Sequence, residues 1–146
     1  MAEPLLRVDG LSVAFESGGE RIVAVSGLSY TLARGETLAI VGESGSGKSV
    51  SSLALFGLLP KPGGSIEAGQ AWFDGRDLLA MAERALMRIR GDRITMIFQE
   101  PMTSLNPVLT IGRQLTEGLV EHKAMSQRAA EARAIQMLDL VGLSEP

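Results

Sequence analysis

The stretch Gly42-Glu43-Ser44-Gly45-Ser46-Gly47-Lys48-Ser49 constrains this chain more than any other part of it. It fits the spacing G-x-x-x-x-G-K-[ST]. Before it runs Thr37-Leu38-Ala39-Ile40-Val41, apolar without alternation, as a strand buried on both faces of a mostly parallel sheet would be. After it, Val50, Leu53, Ala54 and Leu58 recur at helical spacing until Pro60-Lys61-Pro62-Gly63-Gly64 stops the pattern. Strand, glycine loop and helix in that order turn successive backbone N–H groups and the positive end of a helix toward one point, which is how a chain grips phosphate. In such a loop Lys48 reaches between the β- and γ-phosphates of a nucleotide, and the Ser49 hydroxyl ligates Mg2+. Glu43, Ser44, Gly45, Ser46 and Val50 complete the expected nucleotide-binding stretch. A merely flexible Gly/Ser loop would leave the flanking strand and helix unexplained.

Upstream, the apolar residues come in short alternating bursts, Leu6/Val8, Leu11/Val13/Phe15, residues 22–25, then Leu28/Tyr30/Leu32, broken by Gly18-Gly19 and Gly27. This predicts an antiparallel meander. Downstream, Ala71-Trp72-Phe73 before Asp74-Gly75 reads as a short strand entering a tight turn, and residues 82–90 as a short helix. Residues 93–98, Arg-Ile-Thr-Met-Ile-Phe, form a second buried-strand candidate that leads into Gln99-Glu100-Pro101. Thr110 is placed to cap a helix from Ile111 to about Lys123. Ser126 is placed to cap another, with Ala130, Ala134, Met137, Leu138 and Val141 on one face before Gly142.

Composition excludes several classes. Fourteen basic residues against 17 acidic ones give a net charge of -3, a poor footprint for a nucleic-acid binder. The chain has no cysteine, hence no disulfide frame and no thiolate metal site. Met1-Ala2-Glu3-Pro4 lacks the basic and apolar regions of a signal peptide, and the most apolar stretch, residues 50–59, is about half the length that spans a bilayer.

Residues 42–49 together with Met96-Ile97-Phe98-Gln99-Glu100-Pro101-Met102-Thr103-Ser104-Leu105-Asn106-Pro107 resemble the ATP-binding subunits of ABC transporters. The wording GESGSGKS and FQEPMTSLNP is similar to the branch serving oligopeptide, dipeptide, glutathione and nickel importers, and the resemblance covers nearly the whole chain. It implies an α/β fold: an N-terminal antiparallel β subdomain plus the first half of a RecA-like phosphate-loop parallel sheet with flanking helices. It divides the chain into a mainly antiparallel part at 1–36, a core at 37–110 and the start of a helical subdomain at 111–146. It implies ATP and Mg2+ as ligands, with ATP hydrolysis coupled to import of peptides or a related small solute. Lys48 and Gln99 would be catalytic, Gln99 as the Q-loop glutamine that joins Ser49 at the Mg2+ or orients the attacking water. Phe15 matches the aromatic that stacks on adenine, although alternation alone also accounts for it as a core aromatic. The implied partners are a second ATPase domain, membrane-spanning permease subunits and, indirectly, a solute-binding protein, at the cytoplasmic face of the membrane.

The family's serine-glycine-glycine signature, magnesium-binding aspartate with its catalytic glutamate, and switch histidine are expected beyond the Q-loop, and none occurs before Pro146. The resemblance therefore implies a fragment that is inactive alone, since each phosphate loop of the family faces the signature of a second subunit. Two rivals have different requirements: a short regulatory module that binds a nucleotide without hydrolysing it, and a phosphate-loop kinase for a small metabolite, against which the Gln99 segment argues. His122, the only histidine, is expected to be a solvated surface residue, Arg84, Arg88, Arg90 and Arg93 a solvated face, and Trp72 a strand packing residue.

Overall fold

The computed structural model describes residues 3–99 and 104–143. It divides into two compact units, Met1–Leu86 and Met87–Pro146. The first is built on an antiparallel sheet in the order β2-β1-β3-β4, from β1 (Leu6–Ser17), β2 (Glu20–Leu32), β3 (Gly64–Phe73) and β4 (Arg76–Asp77). Helix α1 (Lys48–Leu55) packs on β1 and β2 through buried Ala54 and Leu55. A 3-10 turn at Leu78–Ala80 follows β4, its first amides capped by the Asp77 carboxylate, which accepts from Leu79 N at 3.1 Å.

The expected meander of short strands is instead one long hairpin, turned at Gly18-Gly19, whose apparent breaks are bulges. Val8 faces Tyr30 and Leu11 faces Leu28, so Asp9 and Gly10 together oppose Ser29; Val13 faces Val25, so Ser26 and Gly27 together oppose Ser12. These two bulges each carry a glycine at φ 62°, whose N–H is taken by the serine opposite, Gly10 by Ser29 Oγ at 2.8 Å and Gly27 by Ser12 Oγ at 3.0 Å; a third shift, between Val13 and Ala14, leaves Ala24 extra on β2. One extra residue shifts the two-residue period by one. The inward positions of β1 therefore pass from Leu6 and Val8 to Leu11 and Val13, all buried, without the apolar face leaving the core. The same shift lets β2 pass from buried Val25 to half-buried Leu28, Tyr30 and Leu32.

Strand β3 is longer than the three residues expected from sequence, pairing with β1 from Gly64↔Phe15 to Phe73↔Leu6. Its middle, residues 65–70, is exposed and holds only Ile66 and Ala68 as apolar side chains, which is why periodicity finds only its end. Across β1, Arg21 of β2 grips Glu67 of β3 through two parallel bonds, Nε to Oε1 at 2.6 Å and Nη2 to Oε2 at 2.5 Å. Trp72 is half-buried under the Arg7 guanidinium, 6.0 Å from the ring centroid, in agreement with a packing role.

The second unit is dominated by a helical hairpin, α3 (Ile111–Lys123) and α4 (Gln127–Leu140). Both starts lie where the caps predict: Thr110 Oγ1 accepts from Arg113 N and Ser126 Oγ from Ala129 N, each at 3.3 Å. The two helices pack on each other, and the residues they bury are small: Thr116 of α3, Ala130 and Ala134 of α4. Of the expected α4 face, Leu138 is half-buried, while Met137 and Val141 are exposed. The helix expected over 82–90 is only the short α2 (Glu83–Met87), because the chain turns at Arg88-Ile89, where Arg93 N and Ile94 N both bond Ile89 O.

The α/β class holds, but 37–41 and 93–98 form no ladder among the described residues beyond an isolated bridge, Arg90↔Ile94. Val41 is 91% exposed and Ile97 96% exposed. A strand buried on both faces needs a hydrogen-bonded neighbour and a covering layer, and the described strands all pair within the antiparallel sheet.

Two measurements test this packing. Leu11→Ala empties a fully buried site on the central strand and is expected to lower unfolding free energy by about 2–5 kcal/mol in urea titration. The Glu67 carboxyl is held below its usual range by hydrogen bonds from Arg21, and Asp92 by a hydrogen bond from Lys123. Carboxylates depressed in the folded state stabilise it above their unfolded values and lose that contribution as pH falls through the depressed ones. The wild type is thus expected to lose thermal stability below about pH 4 more steeply than a Glu67→Gln/Asp92→Asn double variant, with the difference shrinking in high salt.

Candidate functional site

The loop at 42–49 is shaped by close approaches that exclude side chains. At Gly47, φ 86°, a Cβ would lie 2.4 Å from Ala24 O and 3.0 Å from Val25 Cγ2, so a bare backbone is what seats the loop against β2. At Gly42 a Cβ would lie 2.6 Å from Ser46 Oγ. Ser46 N closes the intervening turn onto Glu43 O at 3.2 Å, with Gly45 left-handed at φ 81°.

Gly47 is also the N-cap of α1, and having no side chain it caps nothing. The first bond of the helix runs from Ser51 N to Gly47 O at 2.8 Å, so the amides of Lys48, Ser49 and Val50 have no acceptor within it. The first turn carries no acidic residue. Three free N–H groups, a positive dipole end and no competing carboxylate are the electrostatics of an anion site.

Lys48 is half-buried, and its ammonium lies inside the loop, donating to Gly42 O at 2.7 Å, Glu43 O at 2.6 Å and Ser46 Oγ at 3.2 Å. It is thereby held as a charge within the loop that leads into the first turn of α1. The serines that follow divide by role. Ser51 and Ser52 turn their hydroxyls back to Lys48 O, at 2.7 and 3.3 Å, whereas the exposed Ser49 hydroxyl makes no such bond among the described residues. A free hydroxyl beside an anion site fits a hard cation that keeps most of its other ligands as water and phosphate oxygen.

Residues 42–50 form one continuous loop and helix start. Phe15 lies in the same unit on β1, half-buried, with Cε1 so near Gly64 that a Cβ there would sit 2.9 Å away. Gln99 is in the second unit, exposed at the end of the 93–98 segment, and residues 100–103 of the Q-loop wording lie outside the described residues. His122 is not the solvated residue expected: it is half-buried with its ring against Gly91, where a Cβ would meet Nε2 at 3.0 Å. Sequence reading missed Gln114, whose amide is bonded into the loop before α3, and the ion pair between Asp92 and Lys123. No motif marks either; the only signal for Gln114 is its place one turn into a capped helix.

The family model described as ABC transporter matches residues 25–145. The chain belongs to the ABC transporter family. It is 47% identical over 142 residues to the oligopeptide transport ATP-binding protein OppD of Bacillus subtilis, covering 97% of this chain and 40% of that protein. It is 50% identical over 146 residues to the glutathione import ATP-binding protein GsiA of Pectobacterium atrosepticum, covering 97% of this chain and 23% of that one. The chain thus spans less than half the length of these relatives. Among solved structures, the ATP-binding cassette MJ0796, described as a dimer in a post-hydrolysis state bound to ADP and Pi, superposes with a TM-score of 0.80 at 26% identity over 96% of this chain and 58% of that one. The α/β cassette fold expected of an ABC transporter ATPase is therefore present. No helix among the described residues is long and apolar enough to cross a membrane.

Gly47→Ala places a methyl against the Ala24 carbonyl at a left-handed φ and is expected to cost about 2–4 kcal/mol of stability. Urea unfolding of this variant beside Gly19→Ala, whose Cβ would meet nothing within 4 Å, separates the clash from the backbone strain that both share.

Proposed function

We propose that this chain is the ATP-binding part of an ABC importer subunit that hydrolyses ATP to drive uptake of peptides or a related small solute. The observation that carries the reading is the Lys48 ammonium held inside a glycine loop whose three leading helix amides have no acceptor. Residues 42–50 would hold the phosphates, Lys48 exchanging loop carbonyls for β- and γ-phosphate oxygens as the nucleotide enters. Phe15 would stack on the adenine. Mg2+, taken up at the Ser49 hydroxyl and at Gln99, would neutralise charge on the phosphate oxygens.

What the residues contribute is positioning and charge rather than covalent chemistry. The amides of Lys48, Ser49 and Val50 and the Lys48 ammonium hold the γ-phosphate where negative charge gathers in the transition state, and they are oriented before the reaction begins. Gln99 would orient the attacking water. Neither Glu43 nor Glu100 is placed as a base in this reading.

In the same reading, 1–36 is the mainly antiparallel part, 37–110 runs from phosphate loop to Q-loop, and 111–146 opens the helical part. The subunit would pair with a second ATPase domain and dock on permease subunits at the cytoplasmic face of the membrane, fed indirectly by a solute-binding protein. Relatives that carry peptides and glutathione in their names support a small peptide-like solute.

Lys48→Ala in the intact subunit is expected to weaken MgATP binding by about ten- to a hundredfold, the worth of one charge-assisted contact to phosphate. Fluorescent-nucleotide titration measures it, and wild-type affinity in the variant would sink the reading.

A further inference from the structure

Helix α3 is fastened at both ends to the segment that carries Gln99. At its start the Gln114 side chain makes a two-way contact with one loop residue: Oε1 accepts from Asn106 N at 2.8 Å and Nε2 donates to Asn106 O at 3.0 Å. The same Nε2 lies 3.0 Å from Leu109 O and 3.5 Å from Thr110 O. Asn106 closes the turn with its own side chain, Oδ1 accepting from Val108 N at 2.9 Å. At the other end of α3, Lys123 is paired with Asp92 and the His122 ring packs on Gly91. Asp92 and Asn106 lie seven residues before and seven after Gln99. A helix of 13 residues, about 20 Å long, thus joins the two arms of one segment.

The chemistry at position 114 is selective. The loop offers one N–H and a cluster of carbonyls, and only a primary amide carries an acceptor and two donors on one planar group. A carboxylate of the same shape would keep the contact to Asn106 N and turn a lone pair toward Asn106 O and Leu109 O. Neither the phosphate loop nor Gln99 requires this amide, and α3 is already capped by Thr110. The contact serves the loop rather than the helix.

We propose that Gln114 is a positioning residue, locking the loop at 104–110 to α3 so that the Gln99 segment and the helix move as one body. The inference rests on the ATPase reading above, in which Gln99 acts at the γ-phosphate. Because the phosphates are held by residues 42–50, loss of the lock leaves metal-free ATP binding alone and acts on turnover.

The test uses the full-length subunit with its permease partners. Gln114→Glu is expected to keep ATP affinity measured without Mg2+ within about twofold while turnover falls about ten- to a hundredfold, the scale of an ångström's misplacement. Relative to wild type at each pH, its turnover recovers as the pH is lowered through the glutamate range, because a protonated carboxyl regains one O–H donor. Gln114→Ala shows the loss without the recovery. Wild-type turnover in both variants overturns the proposal, and so do equal, pH-independent losses. If the wild-type subunit fails to bind MgATP, the ATPase reading falls and amide exchange at Asn106 decides the lock separately. Slow exchange in wild type that becomes fast in Gln114→Glu sustains it; fast exchange in both overturns it.

Discussion

The contact between Gly47 and the carbonyl of Ala24 is what joins the chemistry of this chain to its sheet. A methyl at Gly47 would sit 2.4 Å from that oxygen, so the loop approaches β2 as closely as backbone can. Seating Gly47 there sets where α1 begins, hence where the three free amides point and where the Lys48 ammonium is anchored. The helix is held from its other end by Ala54 and Leu55, buried on the sheet. A phosphate loop on an isolated eight-residue helix would be too short to hold its shape in water. Clamped at its N-cap by a glycine contact and at its last turn by apolar packing, it is rigid enough to present donors in advance of the ligand.

The sheet that supplies this platform was partly legible from its residues. Leu6, Val8, Leu11 and Val13 announce an inward face, and the change from even to odd numbering marks a bulge between Val8 and Leu11. Read as a break, Gly27 suggests short strands; read as single-residue insertions with positive φ, Gly10 and Gly27 give two long ones. What decides between these readings is tertiary: each glycine amide needs an acceptor, and Ser29 and Ser12 provide one only when the strands are paired in this register. Most of β3 was invisible because Ile66 and Ala68 are the only apolar side chains in its exposed residues 65–70, too few to mark a period, and its pairing to β1 is long-range.

The candidate site was legible where a motif compresses the geometry and not elsewhere. Residues 42–49 lie within one turn and one helix start, so local spacing fixes their arrangement. The runs at 37–41 and 93–98 were equally clear as apolar sequence, yet they form no ladder here, because a parallel strand takes its identity from neighbours distant in sequence. Composition told what these segments would bury but not what would cover them. Gln114 and His122 were missed for a related reason: each is a polar residue on a helix, and its partner, Asn106 in one case and Gly91 in the other, is set by how a loop folds back.

That asymmetry bears on how a nucleotide site can be coupled to anything else. A loop whose donors come from consecutive backbone amides tolerates little motion, since every donor shifts with the helix start. The Gln99 segment is built differently: its described residues 93–99 form no ladder beyond the Arg90↔Ile94 bridge, one arm turns on Ile89 O and pairs Asp92 with Lys123, and the other is tied through the Gln114 amide. Side-chain ties of this kind cost little to shift together and more to break singly, because a severed amide leaves carbonyls and an N–H to find new partners. Motion in such a segment is therefore cheapest when α3 goes with it. In the proposed reading the rigid element would bind the nucleotide, and the element tied by side chains would follow it.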